Sequence, residues 1–182
     1  KRIEKIERSS SALIFYWGIK QSFEQLGLHN ILFSKNYQSE FEHLFQHKKM
    51  YHDPTVYINI TSKLEDIHAP KGSENWFVMI NAPTSEGQYN SESIAKARHD
   101  IIHKLSRMLN ADLEKMIETE SILDPVMISQ KTNTYKGSLY GTSSNSKLSA
   151  FFRPANFSAK IKGLYFCGGT VHPGGGIPLC LK

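Results

Sequence analysis

Cysteine is nearly absent: Cys167 and Cys180 are the two among 182 residues. That excludes a disulfide-stapled miniprotein and fits free thiols in a reducing compartment. Long hydrophobic runs are missing as well. The longest, residues 12–17 (ALIFYW), falls far short of the roughly 20 residues a membrane-spanning helix needs. Residues 1–8 lead into a strand-like run with no small-residue cleavage site, so no secretory leader is expected. There is no internal repeat, no low-complexity tract, no G-x-G-x-x-G and no H-E-x-x-H. What remains is a chain with 40% hydrophobic and 11% aromatic residues, enough to build a real core. Disorder and collagen-like structure are excluded on the same composition.

The charge balance is 22 basic against 17 acidic residues, a formal net charge of +5. A basic balance suits nucleic acid or an anionic membrane surface, but the lysines are scattered and read first as a solvated surface. The densest cluster is His47-Lys48-Lys49. Residue 1 is Lys and residues 176–182 read as the beginning of a helix, so the sequence is expected to be part of a larger chain.

Residues 9–20 read as a buried strand, 30–34 as a short one, and 55–61 (TVYINIT) and 75–81 (NWFVMIN) as two more. Tyr37, Phe41, Leu44 and Phe45 fall at i, i+4, i+7 and i+8, which predicts a helix over 37–47 with these side chains on one face. The strongest helix runs over 91–109, with Ile94, Ala97, Ile101, Ile102, Leu105 and Met108 as its stripe, and Asn90 or Ser91 as cap. Residues 116–123 predict a strand, and Asp124-Pro125 opens a short helix. Residues 135–150 are polar and read as a long loop. Residues 164–167 (LYFC) predict a buried strand that ends Cys167 in the interior. The sum is an α+β arrangement: a mixed, largely antiparallel sheet with flanking helices.

Several residue pairs invite chemical readings. His43/His47 and His99/His103 have the i, i+4 spacing of a one-face zinc site, yet two ligands and no H-E-x-x-H favour a solvated helix face, and no metal is expected. Cys167 with His172 has the residue types of a nucleophile and its base, but a small buried residue is the simpler account of the cysteine. Arg153 fits either a phosphate contact or a loop anchor through carbonyls. Lys131, Lys136, Lys147, Lys160 and Lys162, interleaved with Tyr135 and Tyr140, lack any nucleic-acid motif, and no nucleic-acid partner is expected.

The most informative stretch is residues 163–178, GLYFCGGTVHPGGGIP. A short apolar run ends in two glycines, and three more precede Pro178. Glycines admit close backbone approach to a ligand, and free amides at a helix start attract anionic or electron-rich atoms. This string resembles the C-terminal flavin-binding signature of bacterial-type phytoene desaturases, the FAD-dependent carotenoid desaturases. SALIFYWGIK (11–20), HNILFSKNYQSEF (29–41), DPTVYI (53–58), YKGSLYG (135–141) and FFRPAN (151–156) resemble other pieces of that family in its order.

The resemblance implies an amine-oxidase-like flavoenzyme, with residues 1–150 as a substrate-binding domain and 151–182 as a truncated segment of the FAD-binding domain. It implies that Gly168, Gly169 and Thr170 lie along the ribityl and pyrophosphate region of FAD. His172, Pro173, Gly174, Gly175, Gly176, Ile177 and Pro178 would pass beside the flavin ring. The missing G-x-G-x-x-G implies that the Rossmann half lies elsewhere and that this piece alone is inactive. The implied reaction is hydride transfer to flavin from an acyclic carotenoid such as phytoene. The implied partners are a hydrophobic polyene and a membrane surface, placing the protein in the cytoplasm against the inner membrane. Phe15, Tyr16, Trp17 and Tyr57 are candidate tunnel walls, with ordinary core packing as the plainer reading. Two residues, Thr170 and Val171, precede His172 where the commoner family string has one, and a glycine triplet replaces Gly-Ala-Gly. That is a subfamily difference, and it leaves a later carotenoid intermediate open as substrate beside phytoene itself. The alternatives are a carotenoid isomerase or other amine-oxidase-like oxidoreductase, and a non-enzymatic α+β interaction module.

Overall fold

A computed structural model describes residues 7–143 and 153–174. Five strands form one sheet: β1 (Ser11–Ile19), β2 (His29–Leu32), β3 (Val56–Asn59), β4 (Glu74–Ala82) and β5 (Ile117–Leu123), in the order β2-β3-β4-β1-β5. Every pairing is antiparallel, so the sheet expected to be mixed is antiparallel throughout the described residues. The central strands β1 and β4 pair over their full length, from Ser11 opposite Ala82 to Ile19 opposite Glu74.

The alternation of β4, ENWFVMINA, explains its two faces. Glu74, Trp76, Val78, Ile80 and Ala82 are buried, and the residues between them are half-buried. Leu13, Phe15, Trp17 and Ile19 of β1 join them on the same face. Against that face packs helix α2 (Ser91–Leu109), through Ala97, Ile101, Ile102 and Leu105. Asn90 caps α2: its side chain accepts from the Ser93 amide at 2.8 Å, and Ser93 Oγ accepts from the Asn90 amide at 3.0 Å. Asn110 in the left-handed region closes the helix. The expected stripe holds except at its end, where Met108 is exposed and Lys104 is buried instead.

The helix expected over 37–47 is broken. Helix α1 (Tyr37–Glu42) gives way to a wider π turn over His43–His47. Leu44 is buried, but Tyr37 is 50% exposed. The inward place belongs to Glu40, whose carboxylate accepts from the Thr55 amide at 3.0 Å and the Thr55 hydroxyl at 2.7 Å. Tyr37, Phe41 and Phe45 instead stack along the outside, with ring centroids 4.7 and 6.0 Å apart. Helix α3 (Pro125–Thr132) opens as expected, with the Asp124 side chain accepting from the Met127 amide at 2.8 Å. No helix among the described residues is long and apolar enough to cross a membrane.

On the second face of the sheet Ala12 and Ile14 are buried at the end where α3 meets β1, whereas Tyr16, further along β1, is exposed among the described residues. Beyond the Ala12–Asn81 pair, its registers define three rows across the strands. One row is Ile31, Tyr57, Met79, Ile14 and Leu123; the next is His29, Asn59, Phe77, Tyr16 and Ser121; the last is Asn75, Gly18 and Thr119.

Candidate functional site

Two regions carry the sequence-predicted residues: the glycine segment and the uncovered face of the sheet. The glycine segment begins where the chain returns past the start of β1. Arg8 bridges Thr142, the Ser9 amide donates to the Gly141 carbonyl at 3.0 Å, and the Tyr140 amide donates to Ser9 Oγ at 2.9 Å. Arg153 then ties this loop to the glycines, donating to the carbonyls of Tyr140, at 3.2 Å, and Gly169. Of its two sequence readings, the anchor through carbonyls is the one observed.

Two glycines fit here for steric reasons. Gly141 has φ +71°, and a Cβ there would lie 2.6 Å from Thr170 Cγ2. Gly174 has φ +115°, and a Cβ would lie 3.1 Å from Arg153 Nε. The His172 amide donates to the Pro154 carbonyl at 2.8 Å, and the Val171 amide to Gly168 at 3.3 Å. The amides of Gly168, Gly169 and Thr170 donate to no group among the described residues. A Cβ on Gly168, at φ +122°, would meet nothing within 4 Å. Three successive amides left uncommitted among the described residues, with open space at Gly168, form a donor set suited to an anionic or electron-rich group, so the residues present fit the implied cofactor. His172 and Pro173 are exposed and complete the described part of the string. Gly175, Gly176, Ile177, Pro178 and Cys180 lie outside the described residues.

The expected buried strand at 164–167 is not formed. Phe157 and Tyr165 make a single bridge, reinforced by Ser158 N to Leu164 O at 2.9 Å and Phe166 N to Asn156 O at 2.8 Å. One bridge places no second layer over these side chains, and none of them joins the core cluster. Tyr165 is 75% exposed, and Cys167 is exposed with a free thiol, which corrects its reading as a buried strand end.

The four candidate wall residues divide by strand parity. Phe15 and Trp17 face α2 and belong to the core, whereas Tyr16 and Tyr57 stand on the uncovered face. There Tyr16 meets Phe77 edge-on at 5.5 Å, Phe77 meets Tyr57 at 6.2 Å, and Tyr57 stacks on His29 at 6.1 Å. The Tyr57 hydroxyl lies 2.8 Å from His29 Nδ1. This is an apolar aromatic strip about four strands wide. At one end it runs into a cavity of about 560 Å³, lined by Tyr16, Gly18, Asn75, Phe77, Thr119 and Ser121 among others. That volume is in the range of small-molecule sites.

Other candidates are placed elsewhere. His99 and His103 are exposed on α2, and His43 Nδ1 lies 2.8 Å from the Ser39 carbonyl. No group of three or more His, Cys, Asp or Glu side chains in metal-holding geometry occurs among the described residues. Lys136 pairs with Glu86 at 3.1 Å, and Arg8 lies over the Tyr135 ring at 4.5 Å, so this part of the basic surface is internally engaged. Lys147 lies outside the described residues.

Sequence reasoning missed three polar assemblies, the first two of them buried. Glu74 is 2% exposed and receives the Phe23 amide, the Ser22 hydroxyl, the Trp76 indole and the Lys63 ammonium. Burial pushes its carboxyl up, but Lys63 and these donors outweigh it and hold the carboxyl below its ordinary value. Lys104 donates to the Phe33 and Pro54 carbonyls at 2.8 and 2.7 Å and pairs with Asp53 at 3.0 Å. Burial acts upward on Asp53 too, and the Lys35 amide and Lys104 overcome it. Arg98 joins α2 to Glu114 and Glu120 at 2.8 and 2.7 Å, and Glu120 also accepts from the Trp17 indole. The signal for the first two was available: Glu74 has the core parity of β4, and Lys104 stands three residues after Ile101 on the apolar stripe.

No family model matches the chain. It is 59% identical over 177 residues to the 1-hydroxycarotenoid 3,4-desaturase of Flavobacterium sp. (strain P99-3), an alignment covering 97% of this chain and 36% of that protein. It is 34% identical over 184 aligned positions to the 4,4'-diaponeurosporene oxygenases of Staphylococcus aureus strains MSSA476 and MW2, covering 98% of this chain and 37% of each. The chain therefore spans little more than a third of the length of these relatives.

Proposed function

We propose that this chain, which over the part it spans belongs to the carotenoid desaturase family, forms part of an FAD-dependent oxidoreductase that introduces a double bond into an acyclic carotenoid. The observation that carries the proposal is the 59% identity, spread over 97% of the chain, to a protein named for carotenoid desaturation. That relative is named for a hydroxylated substrate. With the Thr170-Val171 spacing, this favours a hydroxylated carotenoid intermediate over phytoene itself. FAD, when bound, would accept the hydride that leaves the carbon chain while the partner carbon loses a proton.

The chain's own residues then have distinct tasks. The amides of Gly168, Gly169 and Thr170 would hold the cofactor, with Gly175, Gly176, Ile177 and Pro178 continuing the same strip. Arg153 keeps the Gly169 peptide oriented and thereby aims those amides. The uncovered face around Tyr16, Tyr57 and Phe77 would form one wall of the substrate channel and keep water from the reacting carbons. The division at residue 150 is part of the reading: residues 1–150 as the substrate-binding domain of an amine-oxidase-like enzyme, 151–182 as its return to the FAD-binding half. Its support is the closure of the sheet body by the Arg8–Thr142 bridge and the slender link through Arg153. We place the enzyme in the cytoplasm at the inner membrane surface, where its substrate dissolves; the net charge of +5 supports attraction to anionic lipid.

The test is the full-length protein purified with FAD and supplied with an acyclic hydroxycarotenoid. Flavin absorbance that co-purifies, and a product two hydrogens lighter, is the expected result. A folded protein that takes up no flavin refutes the reading. The oxygenase relatives at 34% identity support a second reading, oxygenation of the carotenoid, which predicts a product heavier by oxygen.

A further inference from the structure

The uncovered face changes character along its strands. The row Ile31, Tyr57, Met79, Ile14 and Leu123 is apolar, apart from the Tyr57 hydroxyl bound to His29. Two residues further along, about 7 Å, Phe77 and Tyr16 are flanked by Ser121 and Asn59. Two residues beyond that, the row is Asn75, Gly18 and Thr119. Gly18 lets the Thr119 side chain lie close over β1 there: a Cβ on it would lie 2.4 Å from Thr119 Oγ1. This polar end is where the cavity of about 560 Å³ sits.

The polar groups around the cavity differ in what they have left to offer. Asn75 is already engaged on both sides, donating to Thr61 Oγ1 at 2.7 Å and accepting from the Ser62 amide at 2.9 Å. The two carboxylates at the rim are neutralised, Glu74 by Lys63 and Glu120 by Arg98. The hydroxyls of Thr119 and Ser121 have no hydrogen-bond partner among the described residues, and both are exposed to the cavity side of β5. Each can donate and accept. The cations beside the rim, Lys63 and Arg98, are committed to these carboxylates, whereas a neutral alcohol finds at Thr119 and Ser121 both of the bonds it needs.

We propose that Thr119 and Ser121 bind the hydroxyl of the substrate's end group, with Gly18 allowing the Thr119 side chain to lie close over β1 and the Tyr57 and Met79 row carrying the polyene. The proposal rests on the desaturase reading and adds the residues that select a hydroxylated substrate within it. The experiment compares the full-length, FAD-loaded enzyme with the Thr119→Val, Ser121→Ala double variant. Both are assayed on an acyclic hydroxycarotenoid and on its deoxy counterpart. Two neutral hydrogen bonds at about 1 kcal/mol each predict a fall of roughly 30-fold in kcat/KM for the hydroxylated substrate. The deoxy substrate should change by less than about 2-fold. The Thr119→Ser, Ser121→Thr variant keeps both hydroxyls and should keep the preference. Equal losses on both substrates, or no loss on either, overturn the assignment while leaving the desaturase reading intact. A flavin-bearing wild-type enzyme that converts neither polyene overturns both.

Discussion

Glu74 offers the sharpest test of the structural argument. Its two oxygens serve opposite sides. Oε1 takes the Ser22 hydroxyl at 2.8 Å, the Phe23 amide at 2.9 Å and Lys63 Nζ at 2.6 Å, while Oε2 takes the Trp76 indole at 2.7 Å. Glu74→Gln keeps the shape and removes the charge. The new NH2 must face one of these sets, and either way a donor meets a donor. If it faces Trp76, one charge-assisted bond worth about 1.5–3 kcal/mol is lost, and Lys63 keeps the amide oxygen and the Phe23 carbonyl at 2.7 Å but no counter-charge. If it faces the other set, three donors lose their acceptor. The smaller loss together with an ammonium left without its counter-charge gives about 3 kcal/mol, at the lower edge of what breaking a buried ion pair costs.

The assay is urea unfolding followed by tryptophan fluorescence, since Trp17 and Trp76 are both buried. For a slope of roughly 2–3 kcal/mol/M, the midpoint should fall by about 1–1.5 M with the slope unchanged. The pH dependence carries a sign. The folded carboxyl of Glu74 is held below its unfolded value. Its contribution is therefore complete above the unfolded carboxylate pKa, about 4.3, and is lost as pH falls through the folded one. The gap between the two proteins should be widest near neutrality and narrow on acidification. A midpoint within about 0.2 M of the parent, or a gap that widens in acid, refutes the account of Glu74 as a charged, four-donor hub.

Lys104→Met should cost about 3–5 kcal/mol, because two carbonyls lose their donor and Asp53 its ion pair; since Asp53 is also held low, its acid-dependent share of stability should shrink in the same variant, read by urea midpoints at neutral and acid pH. Gly141→Ala should destabilise by about 1–2 kcal/mol through its positive φ, plus a clash with Thr170, and Thr170→Gly in the same chain should recover the clash but not the backbone part, a coupling of at least about 0.5 kcal/mol in a double-mutant cycle. Asn90→Ala removes the α2 capping box, about 1 kcal/mol, and should lower Tm by about 2–4 °C in a thermal melt.

How much of this was legible beforehand follows from the range of each interaction. Helix α2 (Ser91–Leu109) and strand β4 (Glu74–Ala82) declare themselves by period and by their own neighbours: Asn90 caps through Ser93, and ENWFVMINA alternates without a break. Glu40, Glu74 and Lys104 are different. Their partners lie far along the chain, at Thr55, at Phe23 and Lys63, and at Phe33, Asp53 and Pro54, so the pattern reveals a polar residue in a core position but not what satisfies it. The same limit explains residues 37–47, where apolar spacing is right for one helix and the Glu40–Thr55 contact takes the inward place. It also explains residues 164–167, since apolar composition says that a segment favours cover and not that cover lies within reach. The candidate site divides the same way. The glycine string is a local feature, and its family resemblance could be read directly. The polarity gradient from Ile14 to Gly18 exists only once β1, β3, β4 and β5 are in register, because Tyr57, Met79, Asn75 and Thr119 are neighbours across the sheet and strangers along the chain. Substrate discrimination, if it resides on that face, is a property of the pairing, and a one-residue slip of β5 would turn the Thr119 and Ser121 hydroxyls away from it.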